Sequence, residues 1–277
     1  KILVYKDECS ECKSPLRKLS TSTFRCTKWS CYKFYSLFKY TIFSNTKIPL
    51  NDFLKVAYYW LAKCSFTSIQ IITGHSTSTV AKHLKIIKNQ IKKDISEVDT
   101  TIGGEGIMVQ LNESKFGKRK YHQGHHVEGV WMFGGVEVTS ERKFFCIKVE
   151  KRNAAVLTSI ILKFVKPGSI IITDGWKGYN DIKRNSIFLH QTVNHKISFK
   201  NTLGYTTNMI EGTWNGLKQV TPSRCRTVAK IDDCIFSFIW RRKNEQNDIW
   251  LEFIKVLSLY FIFFSNLKFW DLNLQLL

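Results

Sequence analysis

Proline is scarce and glycine modest in this 277-residue chain, at 4 and 15 residues, which excludes collagen-like and low-complexity classes. Cysteine, at 8, is too thin for a disulfide scaffold, so the thiols read as metal ligands or small core residues. Acidic side chains are few beside basic ones: 22 Asp+Glu face 42 Lys+Arg, a formal net charge of +20. No apolar run approaches the ~20 residues that a bilayer span needs. The longest, Val256 to Leu267, is closed by Lys268 and Asp271 and is expected to pack as a terminal helix or strand. The opening residues show no secretory signal, and without an initiator Met the sequence is expected to start inside a longer reading frame. The expectation is a soluble intracellular protein with no membrane partner, nuclear in a eukaryote and otherwise cytoplasmic.

What is present points to packed domains and a polyanion. An apolar fraction of 44% with 14% aromatics is ample for buried cores. The positive charge is spread along the chain: residues 1–100 carry a net +10, residues 101–230 a net +11, and the remainder −1. A single basic arm on an ordinary enzyme would not give that distribution. Nucleic acid is the expected partner before membrane.

Residues 1–45 hold two cysteine pairs, Cys9-Ser-Glu-Cys12 and Cys26-Thr-Lys-Trp-Ser-Cys31. A tight turn between paired cysteines aims both sulfurs inward, and two pairs complete a closed, structural Cys₄ zinc site. Metal binding would supply folding free energy to a block too small for its own core. The alternative is four ordinary thiols. Cys64, Cys146, Cys225 and Cys234 are scattered and read as core residues.

Residues 46–100 read as helix-turn-helix. Asn51 is placed to cap a helix from Asp52 to Lys63, with Phe53, Val56, Ala57, Trp60 and Leu61 on its apolar stripe. A short helix over 67–73 ends at Gly74. Ser76 or Ser78 caps a third helix over 79–93, with Val80, Leu84, Ile87 and Ile91 inward. Lys82, Lys85, Lys88, Lys92 and Lys93 are left on its outer side, the arrangement that enters a major groove. A plain helical bundle with a wet lysine face is the bland alternative.

The pattern changes near 98–105, where Thr100-Thr101-Ile102-Gly103-Gly104 breaks the helical periodicity. Strands are expected over 107–112, 130–136 and 143–149, a helix over 154–164, a strand over 169–174 ending in Asp174, a short strand over 187–189, and a helix from 207 to 220. Three strands, a helix, a strand, a helix, a strand and a helix is the order of an RNase H-like fold. In the first strand, alternation puts Met108, Gln110 and Asn112 on one face and Glu113 on the other. On the last helix Glu211, Asn215 and Lys218 share a stripe beside a buried one of Ile210, Trp214 and Leu217.

The motifs Asn112-Glu-Ser-Lys-Phe, Trp131-Met-Phe-Gly-Gly, Thr173-Asp-Gly-Trp-Lys-Gly-Tyr179, Val193-Asn-His195, Thr207-Asn-Met-Ile-Glu-Gly-Thr-Trp214 and Phe238-Ile-Trp-Arg-Arg-Lys243 resemble those of Merlin-superfamily DNA transposases, which have bacterial insertion-sequence relatives. The resemblance runs over about residues 5–255. It implies an Asp-Asp-Glu site holding two Mg²⁺ (or Mn²⁺) for phosphodiester cleavage and strand transfer. Asp174 matches the second acid and Glu211 the third. Where the family has its first Asp this chain has Asn112, which keeps an oxygen but loses a charge; Glu113 could replace it only if the strand ended or bulged there. Asn208 would orient the site or cap its helix. Lys218 would contact phosphate beside the metals, and Lys118, Arg119 and Lys120 would contact DNA or direct nuclear import. His122, His125 and His126 read as a DNA-facing loop, His195 as a DNA or metal contact or a structural histidine, and Arg241-Arg242-Lys243 as closing the outer face and touching DNA backbone.

The expected organisation is an α/β protein: a zinc ribbon at 1–45, a helix-turn-helix at 46–100, an RNase H-like transposase domain at 105–255, and an apolar tail at 256–277. The expected function belongs to a mobile element, binding transposon terminal repeats and target double-stranded DNA as a homo-oligomer. A catalytically dead or domesticated sequence-specific DNA-binding protein is the rival, and a zinc-ribbon regulator without transposase history a third reading.

Overall fold

Short β-prone runs around the cysteine pairs, helical periodicity after residue 49 and β-branched alternation after residue 106 each dictate a different local structure. The computed structural model describes residues 8–258 apart from 21, 37, 39–41, 45, 47, 118–128, 185 and 194–203. Lys118, Arg119, Lys120, the histidines at 122, 125, 126 and 195, and the tail beyond 258 therefore lie outside the described residues. The chain divides into two units, Lys1–Ile87 with Trp250–Leu277, and Lys88–Ile249.

In the first unit, β1 (Leu16–Lys18), β2 (Thr23–Cys26) and β3 (Phe34–Ser36) form an antiparallel three-stranded sheet. Three helices follow: α1 (Leu50–Leu61), α2 (Phe66–Thr73) and α3 (Thr77–Asp94), the last running on past the limit of the unit. Pro49, not Asn51, stands at the cap of α1, because its fixed φ of −53° presets the turn and the helix starts one residue later. Ser65 caps α2 by accepting from the Ser68 N–H at 3.0 Å, and Gly74, with φ of +66°, ends it in the left-handed region. Ser76 accepts from the Thr79 N–H at 3.3 Å at the start of α3. The stripe of Val80, Leu84, Ile87 and Ile91 is buried, joined by His83 and Gln90. Phe53 meets the His83 ring edge-on at 5.7 Å.

The second unit is a mixed α/β layer structure. It runs through α4 (Glu97–Thr100), β4 (Ile102–Gly103), β5 (Met108–Phe116), β6 (Val130–Glu137), β7 (Phe144–Lys148), α5 (Ala154–Phe164), β8 (Val165–Lys166), β9 (Ile170–Asp174), a 3₁₀ helix (Lys177–Arg184), β10 (Leu189–Val193), α6 (Asn208–Val220) and α7 (Ile231–Lys243). The five-stranded sheet has the order β10-β9-β5-β6-β7; β5, β6 and β7 are antiparallel neighbours, while β9 runs parallel to both β5 and β10. The expected strand at 187–189 forms instead at 189–193, where Leu189 pairs with Ile170 and Val193 with Asp174. α8 (Ile249–Ser258) closes the described chain; from Trp250 on it belongs to the first unit, where Trp250 meets Tyr58 edge-on at 5.5 Å.

Each face of the five-stranded sheet buries its own core. Val109, Leu111, Phe133 and Ile171 pack with Leu157 and Ile161 of α5 and with Tyr179. On the opposite face Phe116, Met132 and Phe144 pack with Ile210, Trp214 and Leu217 of α6 and Ile231 and Ile235 of α7. Trp214 meets Phe116 and Phe144 edge-on at 6.1 and 5.7 Å, a geometry favoured by the ring quadrupoles. Gly134 permits that approach, since a Cβ there would lie 2.8 Å from the Trp214 ring. Among the described residues no helix is long and apolar enough to cross a membrane.

Arg241, Arg242 and Lys243, expected to close the outer face and touch DNA backbone, end α7 with both arginines half-buried and Lys243 exposed. The Arg242 guanidinium lies 4.8 Å from the Phe238 ring and bonds Thr213 Oγ1, and Lys243 pairs with Asp99 at 3.0 Å. Burial lowers the pKa of both arginines. These contacts of Arg242 and Lys243 thus fall inside their own unit.

Candidate functional site

Two places gather chemistry-bearing side chains, one in each unit. The first is built by the two turns that hold the cysteine pairs. The Sγ atoms of Cys9, Cys12, Cys26 and Cys31 all lie within 4.8 Å of one another, with Cys9 to Cys31 at 3.7 Å and Cys12 to Cys26 at 3.3 Å. A tetrahedron with Zn–S bonds of about 2.3 Å has S···S edges of about 3.8 Å, so the four sulfurs are close to the spacing zinc requires. All four are free thiols, and Cys9 and Cys26 are buried. The Tyr35 hydroxyl, 3.1 Å from Cys9 Sγ, lowers that thiol to a pKa of about 6, helped by nearby backbone groups. Burial instead pushes Cys26 up to about 12, with Cys12 adding to the rise. The shifts of these two thiols run in opposite directions, whereas a cation shared by all four would favour four thiolates. The donor set therefore fits a structural Zn²⁺.

The second place lies on the sheet of the other unit. β5 runs unbroken to Phe116 and pairs with β6 throughout, with neither a bulge nor an end at Glu113. Asn112 and Glu113 accordingly point to opposite faces. The parallel register of β5 and β9 sets Met108 level with Ile170 and Gln110 level with Ile172. Carried two residues on, it puts Asn112 level with Asp174 on the α6 side. α6 is docked there by Gln110, whose Oε1 accepts from the Ile210 N–H at 3.0 Å in a buried setting. That bond satisfies one of the orphan N–H groups of the first helical turn, where Thr207 at the cap position makes no side-chain cap bond. Glu211 is the next residue, and the Thr207 hydroxyl donates to its Oε1 at 3.0 Å. Asn208 is the first residue of α6 and not its cap.

The buried and exposed stripes of α6 fall as the spacing predicts: Ile210, Trp214 and Leu217 inward, Glu211 and Asn215 outward, Lys218 half-buried. Lys218 Nζ lies 5.5 Å from the Phe116 ring, and burial followed by the nearby Arg226 lowers its pKa. The Asp174 carboxylate accepts from the Trp176 N–H at 3.1 Å. Among the described residues, three or more His, Cys, Asp or Glu ligand atoms converge within 4.8 Å only at the four cysteines. Asn112 brings no carboxylate to the α6 side of the sheet, where Asp174 ends β9.

Glu113 has a separate environment on the α5 side. The buried Tyr179 hydroxyl donates to Glu113 Oε1, and Arg152 stacks 3.5 Å over Trp131 close by. Burial raises the Glu113 pKa and the Asp174 charge adds to the rise, against lowering by Tyr179 and Arg152. Sequence reasoning missed Gln110, Thr207 and Tyr179. A glutamine between Val109 and Leu111 in a strand, facing the side where a helix must dock, is the signal that would have found the first.

In the first unit Lys82 and Lys85 are exposed along α3, and Lys88, just past its limit, is half-buried.

Residues 93–224 match the family described as the ISXO2-like transposase domain. The match supports a transposase of the DDE kind and a transposase-like function, and such a family implies DNA binding and use of a divalent metal. No curated protein matches the chain.

Proposed function

We propose that this protein is a DNA transposase of Merlin-superfamily type, with a zinc ribbon at 1–45 and a helix-turn-helix at 46–100 for DNA, and an RNase H-like catalytic domain at 105–255. The observation that carries the reading is the ISXO2-like match over 93–224, one segment that contains Asn112, Asp174 and Glu211. Supporting it, three antiparallel strands continue into two parallel ones, with helices on both faces. Asp174 ends the strand beside β5, and Glu211 opens a helix bonded to β5 through Gln110.

In this reading Asp174 and Glu211 hold Mg²⁺ or Mn²⁺, with Asn112 offering an amide oxygen. When bound there, a pair of such ions activates an attacking water or 3′-hydroxyl and stabilises the departing oxygen. Two carboxylates leave two dications under-neutralised, so DNA phosphates must supply more of the charge than in a three-acid site. Glu113, on the other face of β5, is held in place by the Tyr179 hydroxyl. Thr207 restrains Glu211, and Lys218 meets phosphate at its edge. Lys82, Lys85 and Lys88 on α3 grip the backbone of the recognised duplex; Lys118, Arg119 and Lys120 are assigned the same task. Terminal repeats and target DNA are the partners, and a homo-oligomer pairs the ends.

Asn112 itself favours a second reading, a binding protein on a catalytically silent scaffold. Metal-dependent nicking of DNA carrying the element's ends separates the two, with the native chain beside Asn112→Asp and Glu211→Gln. Nicking by the native chain that Glu211→Gln abolishes supports the enzyme. Nicking by Asn112→Asp alone supports the binding form, and nicking by neither sinks the catalytic reading.

A further inference from the structure

The zinc-ribbon sheet carries a surface that its own fold does not use. Its register sets Arg17 opposite Arg25 and Arg25 opposite Phe34. Directly opposed residues share a face, so these three side chains make one row across the sheet. Phe24 and Cys26, on either side of Arg25, are buried and mark the other face as the interior. The turn from β2 to β3 brings the Tyr32 ring to 4.5 Å from the Arg25 guanidinium. Phe34 is 61% exposed, Tyr32 47%, and Trp29 in the same turn 82%. The thiol cluster and the buried Phe24 organise the interior, which leaves Phe34 and Trp29 exposed while the Arg25 guanidinium lies over Tyr32.

Charge decides which partner they suit. Between residues 8 and 38 stand Lys13, Arg17, Lys18, Arg25, Lys28 and Lys33 against Glu8 and Glu11, and Glu11 is already paired with Lys33. The balance stays positive even after the two negative charges of a zinc tetrathiolate. An apolar protein partner would want rings without that field. A double helix would use the cations, but its stacked pairs hide their faces from the rings. Only unpaired bases on a phosphate backbone use both. We propose that the outer face of the cysteine-cluster sheet binds single-stranded DNA, Arg17 and Arg25 meeting phosphates while Phe34 and Trp29 stack on bases. This rests on the proposed function only in taking DNA as the partner. It gives the ribbon a task at strands that have been opened, distinct from duplex recognition by α3.

The test is fluorescence anisotropy of the zinc-loaded full chain with an oligo-dT of about 12 nucleotides and with a duplex of equal length. Combined Trp29→Ala and Phe34→Ala should weaken oligo-dT binding at least about tenfold, since each stack contributes roughly five- to 150-fold. Duplex binding should change by less than about twofold, and Trp29→Tyr with Phe34→Tyr should keep oligo-dT affinity. Arg17→Ala with Arg25→Ala should flatten the oligo-dT salt slope by about 1.4. One zinc per chain in each variant shows that the module is folded. Unchanged oligo-dT binding by the alanine pair overturns this surface alone, as does an equal loss on both DNA forms. Loss of self-association with oligo-dT binding intact overturns it in favour of a protein contact. A native chain that binds neither DNA overturns the DNA reading itself.

Discussion

The two candidate sites differ in what holds them. The cysteine cluster is gathered by two short turns from within 23 residues of sequence, Cys9 to Cys31, and its ligands already sit at metal-binding distances of one another. The sheet region proposed as the second site spans residues 112, 174 and 211, far apart in sequence, with α6 bonded to β5 through Gln110. The first block has little apolar core of its own, so a metal bound there would supply much of its folding free energy. The second has a fold from two apolar cores, whatever its ligands do. Removal of one ligand should therefore unfold the first and leave the packing of the second intact.

The largest expected effect tests that asymmetry directly. Cys9→Ser should lose the bound zinc and the β1–β3 sheet, read by metal content and by proteolysis within residues 8–36. The melting of the other unit should be unmoved. The core of that unit is broken instead by Trp214→Ala, expected to cost about 3–5 kcal/mol in denaturant unfolding because a buried indole leaves a cavity between α6 and the sheet. Gln110→Ala strips the Ile210 N–H of its partner in a buried place and should cost about 1–3 kcal/mol, with a parallel fall in any metal-dependent activity.

Asn112→Asp sharpens the comparison from the other side. It should raise Mn²⁺ affinity of the sheet site by at least about tenfold, or ~1.4 kcal/mol, by titration calorimetry, without changing zinc content. The smallest effect is a pH dependence. Burial, followed by the Asp174 charge, raises the Glu113 pKa in the folded state, so the folded protein binds this proton more tightly than the unfolded chain. Its stabilising contribution is full below the unfolded pKa and is lost as pH rises through the folded one. Glu113→Gln should remove that part of the decline in unfolding titrations between acid and neutral pH.

Much of this architecture was legible because it rests on local pattern. The α5 limits of Ala154 and Phe164 fall where the pattern places them, with Asn153 accepting from the Val156 N–H at the start, and the α6 stripes follow from 3.6-residue spacing. The Cys₄ cluster followed from pairing alone. What escaped was set by distant partners. The Arg242 contact with Phe238 is an i,i+4 pair on α7, but its approach to Phe144 and the pairing of Lys243 with Asp94 and Asp99 are set only by the fold. The Glu113–Tyr179 bond joins residues 66 positions apart, and only the folded sheet brings them together. The strand at 189–193 shifted because its pairing with β9, not its own composition, fixes where it begins.

The Gln110 bond to Ile210 has a consequence for observing this protein at work. Amide protons in the first turn of a helix ordinarily exchange with solvent quickly, having no carbonyl one turn back to hold them. The Ile210 proton is instead held by a side chain on the strand that carries Asn112, one residue before Glu211. Its exchange rate therefore reports neither fraying nor global unfolding but the separation of α6 from β5. A single isotope-labelled amide is thus a built-in gauge of how often the two halves of the site part company.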